Sequence, residues 1–365
     1  MDWKSLIINK AAVKRIFYIY IPVLLGCFVA LTAAAFLTTA KASPPLDLAQ
    51  DFKGKLPIVY SDNYNIEFFG LEKAHPFDSV KYRRVMDFLL AARALKREQV
   101  IPAAQPGEEL LLLAHSREYL DSLKSPWTLA RITEMHFLRM FPAKLAYNIV
   151  LATMLFQTGG SLLAAKAALG KGWAINLGGG FHHASYANGQ GFCPLADISL
   201  IVKYLRREKL AQKVMIIDLD AHQGNGHGRD FIGDADVFIV DVYNSYIYPG
   251  DTPAKEGIDL KVELEPYTAD TEFLQKTRKA LDKAFAAFAS DLVIYNAGTD
   301  ILIGDELGAL DITREGVIKR DELVFEKALG AKIPVVMLLS GGYQKSNAEV
   351  IAASILNLKE KFGLF

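Results

Sequence analysis

The residue types best suited to chemistry gather where apolar runs end. The run 214–219 (VMIIDL) leads through Asp218 into Asp220 and His222, with Gly224, Asn225 and Gly226 just beyond. In an extended chain residues two apart share a face, so Asp218, Asp220 and His222 are expected to point the same way. Two carboxylates on one face of an apolar strand repel, and burying them unpaired costs several kcal/mol. A cation removes both problems. Two carboxylates, an imidazole and open positions for water suit a catalytic metal, zinc first and ferrous iron as the alternative. Asp300, at the end of a neighbouring run, is the expected third ligand. By itself a DxDxH segment also fits a buried hydrogen-bond network, or a helix N-cap at Asp220 or Asn225. Three further polar strand ends weigh against that.

The run 173–177 (WAINL) leads into three glycines, Phe181, His182 and His183. The run 291–295 leads into Asn296, Gly298 and Asp300, and 333–339 into Ser340, Gly341, Gly342 and Tyr343. Adjacent histidines on a glycine loop are seldom core packing. One or both could ligate the metal, or they could act as general base and acid, because imidazole titrates near neutrality. Tyr343 follows two glycines, so its hydroxyl can reach a substrate. A phenol beside a metal is a good donor to a developing oxyanion. Taken alone, Tyr343 reads as an ordinary half-buried aromatic.

Polar strand ends need strands to carry them. Candidate strands at 57–60, 110–114, 173–177, 214–219, 236–242, 291–295 and 333–339 alternate with helical patterns near 79–97, 145–169, 196–209, 270–289, 315–329 and 346–360. Several runs are continuously apolar, as strands buried on both faces are. Such alternation predicts an α/β fold, a parallel sheet with helices on both faces and its site at the strands' carboxyl ends.

Ahead of this domain, residues 16–40 contain no charged side chain and are long enough to cross a bilayer as a helix. Lys4, Lys10, Lys14 and Arg15 precede the run, and Tyr18 and Tyr20 suit an interfacial belt. The positive-inside bias puts residues 1–15 in the cytoplasm and the rest of the chain on the far side of a single-pass membrane anchor. A cleaved signal peptide, followed by secretion, is the competing reading, since Ala40-Lys41-Ala42 fits a small-x-small cleavage site. The length of the run favours the anchor. Residues 41–55 then read as a linker and 56–365 as one catalytic domain. With 41 basic against 41 acidic residues the chain lacks the basic excess that nucleic-acid binding needs. Its two cysteines, Cys27 and Cys193, make no disulfide framework.

The strings GGGFHHAS, GQGFC, DLDAHQGNG, NAGTD and SGGY, in this order, resemble the zinc-dependent histone deacetylases and their bacterial relatives. The segments 57–61, 70–77, 241–250 and 319–325 resemble the class IV branch in particular. The resemblance covers about residues 56–358. It implies a single arginase/deacetylase-type domain around an eight-stranded parallel sheet, with zinc on Asp220, His222 and Asp300. It makes His182 and His183 the paired histidines, with His183 as general base and then acid, and Tyr343 the transition-state donor. Phe192 and Tyr248 would line an acyl-lysine tunnel, and Gly191 would offer its carbonyl to the substrate amide. Asp218 would orient His182 and help hold a potassium ion. Asn225 stands where some members carry Asp. A neutral partner stabilises an imidazolium less, so the basic histidine is expected to have a lower pKa.

The implied reaction is attack of a metal-activated water on the amide of an acyl-lysine in a protein or peptide, and the class IV likeness suggests long acyl chains. Two alternatives remain in view. A small-molecule amidohydrolase would act on an acylated amine such as an acetylpolyamine. A non-catalytic, membrane-tethered acyl-lysine-binding module would show a degenerate site, and no motif residue is missing here.

Overall fold

The computed structural model describes Tyr20, residues 45–66 and residues 75–365. The expected cytoplasmic segment 1–15 and the expected anchor at 16–40, Tyr20 apart, lie outside the described residues. The chain divides into two units, Met1–Ser43 and Pro44–Phe365, and only the second is described below.

Eight strands form one sheet: β1 (Ile58–Tyr60), β2 (Ile101–Pro102), β3 (Trp173–Asn176), β4 (Val214–Asp218), β5 (Val237–Asn244), β6 (Leu260–Leu264), β7 (Leu292–Asn296) and β8 (Val335–Leu338). Their spatial order is β2-β1-β3-β8-β7-β4-β5-β6, and every pairing is parallel. The central strands β3, β4, β7 and β8 are apolar up to their carboxyl ends because both faces are covered. Val214, Met215, Ile216 and Ile217 of β4 have no exposure at all. Each such side chain contributes about 1.5–3 kcal/mol of burial.

Two strands were not among those expected. β2 has two residues, too few to show a period. β6 (LKVEL) does alternate, and its exposure alternates with it, as suits an edge strand. The expected strand at 110–114 is not one. Glu108–Leu111 is a short α-helix with Gly107 at its N-cap and Glu108 and Glu109 in its first turn. A brief leucine run fits either element, and the acidic pair at a helix N-terminus favours the helix.

Helix α1 (Lys81–Ala91) follows the first strand. Helix α2 (Ala152–Lys171) continues a helical stretch that begins at Ala143 and packs against β1, β3 and β8. Among the described residues, Ala143–Lys171 is the one helix long and apolar enough to cross a membrane, yet its most apolar stretch is 94% buried within the protein. It is a core helix. Its glycines permit close approach: a Cβ on Gly160 would overlap the Tyr64 hydroxyl. That hydroxyl donates to Asn176 Oδ1 at 2.7 Å, and Asn176 Nδ2 donates to the Gln157 carbonyl at 3.1 Å, which ties the end of β3 to the helix. Farther along the chain come helices α3 (Asp197–Arg207), α4 (Asn225–Asp230), α5 (Asp270–Ala287), α6 (Arg314–Gly330) and α7 (Asn347–Phe362).

Candidate active site

The four polar strand ends leave the sheet side by side. Asp218, Asn296, Leu338 and Asn176 are register partners across β4, β7, β8 and β3. The loops that follow therefore start level with one another at the carboxyl edge, where open parallel sheets place their ligands.

Asp220, His222 and Asp300 meet there. One ligand atom from each lies within 4.8 Å of the others, and all three residues are buried. Both carboxylates are tied to the scaffold, and Asp220 Oδ1 accepts from the His222 backbone N–H at 3.0 Å. Ser340 Oγ and Gly341 N both donate to Asp220 Oδ2 at 3.1 Å, and Ala221 N donates to Asp300 Oδ1 at 2.9 Å. The remaining oxygens turn toward His222 Nδ1, Asp220 Oδ1 at 3.2 Å and Asp300 Oδ2 at 2.9 Å. Burial and the charge of Asp220 raise the Asp300 carboxyl to about 7. Burial opposes charge on His222, but its bonds to Asp220 and Asp300 outweigh that and raise it to about 10. A proton held on Nδ1 would fill the place between two carboxylates where a divalent cation would fit. Two oxygens and one nitrogen converging on a buried point are a donor set that zinc accepts.

Behind the cluster, the buried Arg320 of α6 donates to the carbonyls of Leu219, Ala297 and Gly298. These belong to the loops that deliver Asp220 and Asp300. Asp321 pairs with the guanidinium at 2.9 Å.

The expectation that Asp218 shares a face with Asp220 and His222 fails. β4 ends at Asp218, so the two-residue period stops there. Asp218 instead receives three side chains, His182 Nδ1 at 2.9 Å, His227 Nε2 at 2.8 Å and Asn296 Nδ2 at 2.9 Å, and the Asp220 backbone N–H at 3.2 Å. His183 Nδ1 lies 2.8 Å from Asn225 Oδ1. Asn225 opens α4, with Gly224 at the cap position, and its side chain serves His183 rather than the helix end. Among the described residues the metal-capable cluster includes neither His182 nor His183. The pair divides electrostatically. Burial opposes charge on His182, but Asp218 and Asp220 prevail and lift it to about 9. Burial, then His182 and His222, push His183 well below the usual imidazole range. Neighbouring titratable groups driven apart in this way suit an acid and a base.

A cavity opens beside the two histidines. Gly191, Phe192 and Tyr343 line it, together with His75 and Phe77. Tyr343 stands edge-on to Phe192 and His222, with ring centroids 6.0 and 6.1 Å away, and its backbone N–H donates to Asp305 Oδ2 at 2.9 Å. Gly191 has φ +53°, and a Cβ there would run into the His183 ring. Its carbonyl accepts from the Cys193 thiol at 3.2 Å. Tyr248 is 44% exposed, edge-on to His183 with centroids 5.0 Å apart, and so stands at the rim.

Sequence reasoning missed several participants. Lys81 of α1 is fully buried and donates to the carbonyls of Ser340 at 2.6 Å and Gly341 at 2.7 Å, directly beneath the loop that carries Tyr343. His75 packs on Phe192 with centroids 4.6 Å apart. His227 and Asp305 were also not singled out. His227 follows the recognised DLDAHQGNG string immediately, which was the available signal. For Lys81 the sequence offers none.

An open parallel α/β sheet with an Asp–His–Asp cluster and a histidine pair at its carboxyl edge defines a class of metal-ready hydrolytic centre. A model of the histone deacetylase domain matches residues 75–358. The chain is 50% identical over 307 residues to histone deacetylase 2 of Arabidopsis thaliana, covering 84% of this chain and 79% of that protein. It is 32% identical over 295 residues to an uncharacterized protein of Picosynechococcus sp., covering 81% and 94% respectively. The crystal structure of the HDA15 HD domain shares the fold, with a TM-score of 0.67 at 20% identity, covering 85% of this chain and 90% of that one. The chain belongs to the histone deacetylase family and is a hydrolase of that family.

Proposed function

We propose that this chain is a zinc-dependent deacylase that hydrolyses the side-chain amide of an acylated lysine in a protein or peptide. The observation that carries the proposal is the convergence of Asp220, His222 and Asp300 beside a histidine pair and an apolar cavity. Zinc held by those three residues would supply Lewis acidity toward the amide carbonyl and toward a water. His183, neutral and with Nδ1 engaged by Asn225, presents Nε2 as the base that takes the water's proton. His182, held as a cation by Asp218, stabilises the developing negative charge, and a histidine returns a proton to the leaving amine. Tyr343 donates its hydroxyl to the oxyanion. Phe192 and Tyr248 flank the lysine stem, and the Gly191 carbonyl accepts from the substrate amide, displacing the Cys193 thiol.

Ile66, Phe77, Tyr82, Met135 and Met154 extend the cavity lining with apolar surface. This favours an acyl chain longer than acetyl and accords with the class IV likeness. Potassium beside Asp218 is part of the same reading. Its support is the buried Asp241 Oδ1, which has no hydrogen-bond partner, on a carboxyl raised by burial and by the charge of Asp218. Residues 16–40 serve as the anchor, with the catalytic domain on the far side of the membrane. A protease added to the cytoplasmic face should leave that domain intact, and its digestion there would overturn the orientation.

The test of function is turnover of acetyl-lysine and myristoyl-lysine peptides and acetylspermidine by the zinc-loaded full chain, beside Asp300→Ala. Peptide turnover abolished in the variant is the expected result. Turnover of acetylspermidine alone would favour the small-amide reading, and none at all, with zinc bound, the binding module.

A further inference from the structure

We propose that Asp251 is a positioning residue that decides which ring nitrogen of His183 carries the proton, by holding the Asn225 amide in one orientation. The proposal rests on His183 acting as the base. An amide has an accepting end and a donating end, whereas a carboxylate accepts at both. Asn225 can therefore present either end to His183, and nothing in its own side chain decides which. Oxygen toward the ring makes Nδ1 the N–H and leaves the Nε2 lone pair free for a base. Nitrogen toward the ring needs Nδ1 bare and places the proton on Nε2, where it blocks the base.

The choice is made at the far end of the amide. Asn225 Nδ2 donates to Asp251 Oδ2 at 3.0 Å, and a carboxylate can only accept there. The flipped amide would set two oxygens against each other. Asp251 is itself fixed on three sides. Arg229, one turn along α4 from Asn225, donates to its two oxygens at 2.7 Å each. Gln223 Nε2 donates to the Asp251 carbonyl at 2.9 Å, and Gln223 Oε1 accepts from the Asp251 N–H at 3.0 Å. The Asp251 side chain is only 10% exposed, so water does not readily replace it. Asp251 also lies three residues beyond Tyr248, so one loop carries both a wall of the site and the group that sets its base.

The test compares the zinc-loaded full chain with Asp251→Ala and with the double variant Asn225→Asp/Asp251→Ala. Asp251→Ala is expected to lower kcat by roughly tenfold or more with KM little changed. The double variant puts a group beside His183 that accepts whichever way it turns, so it needs no Asp251. It should recover most of the loss, to within about threefold of the parent. A merely structural role for Asp251, holding Arg229 and the loop, gives no such rescue. Parental kcat in Asp251→Ala, or a folded double variant no faster than the single one, would overturn the proposal. A readout without substrate separates this from failure of the deacylase reading. In ¹⁵N-histidine-labelled chain, NMR should show the His183 proton on Nδ1 in the parent and in the double variant, and shared with Nε2 in Asp251→Ala. The same nitrogen protonated in all three would also overturn it.

Discussion

Zinc titrated into the metal-free chain should displace protons, and more of them as the solution is made acidic. His222 Nδ1 sits between Asp300 Oδ2 and Asp220 Oδ1, at 2.9 and 3.2 Å. Although burial opposes its charge, these carboxylates raise the imidazole to about 10, and burial with Asp220 raises the Asp300 carboxyl to about 7. Both groups bind metal only when deprotonated, and both lie above their ordinary values. Affinity must therefore fall as pH falls through each. At about pH 8 His222 holds its proton and Asp300 mostly does not, so zinc displaces close to one proton. That competition, about two pH units below the His222 value, costs roughly 3 kcal/mol of binding. At about pH 6 Asp300 is mostly protonated as well, the count approaches two, and affinity changes by up to about a hundredfold per pH unit. Calorimetry in buffers of different ionisation enthalpy counts the protons directly. A flat affinity over this range with no proton released would refute the view that a proton now holds the cation's place.

Three substitutions probe other parts of the site. Tyr343→Phe should lower turnover by about a hundredfold with zinc affinity unchanged, as loss of an oxyanion donor does; turnover within a few-fold of the parent would remove Tyr343 from the mechanism. Lys81→Met strips two carbonyls of a buried charged donor and should cost about 2–4 kcal/mol in denaturant unfolding of the full chain. An unchanged midpoint would show that the Tyr343 loop does not depend on Lys81. Gly191→Ala drives a methyl into the His183 ring and should depress deacylation in a steady-state assay, while parental rates would show that the loop yields.

The metal cluster was legible because its residues sit within a few positions of continuously apolar runs, and such runs end at one edge of a parallel sheet. Asp220, His222 and Asp300 needed only that geometry to be brought together. Asp218 was misjudged because the extended chain was carried past its last strand residue, where the two-residue period no longer holds. The run 110–114 was misjudged because a brief leucine run has no period of its own. Residues 260–264 do alternate, but the two charged residues, Lys261 and Glu263, within so short a stretch are easily taken for loop polarity. Lys81 and Asp251 were out of reach for another reason. Lys81 meets Ser340 across 259 positions of sequence, and Asp251 meets Asn225 across 26. Neither contact leaves a local pattern, since only the folded sheet and its loops create it.

The Arg320 guanidinium has a bearing on ion selectivity. By gripping the carbonyls of Leu219, Ala297 and Gly298 it fixes the separation of the two loops that deliver Asp220 and Asp300. The spacing of the donor set is thereby braced from behind. Ions are then sorted by radius and by taste in donors. Calcium, which seeks six to eight oxygens at about 2.3–2.6 Å, finds too few here. Small first-row ions that accept mixed oxygen and nitrogen donors suit the set, and their intrinsic order of affinity together with their relative supply would decide which of them is bound.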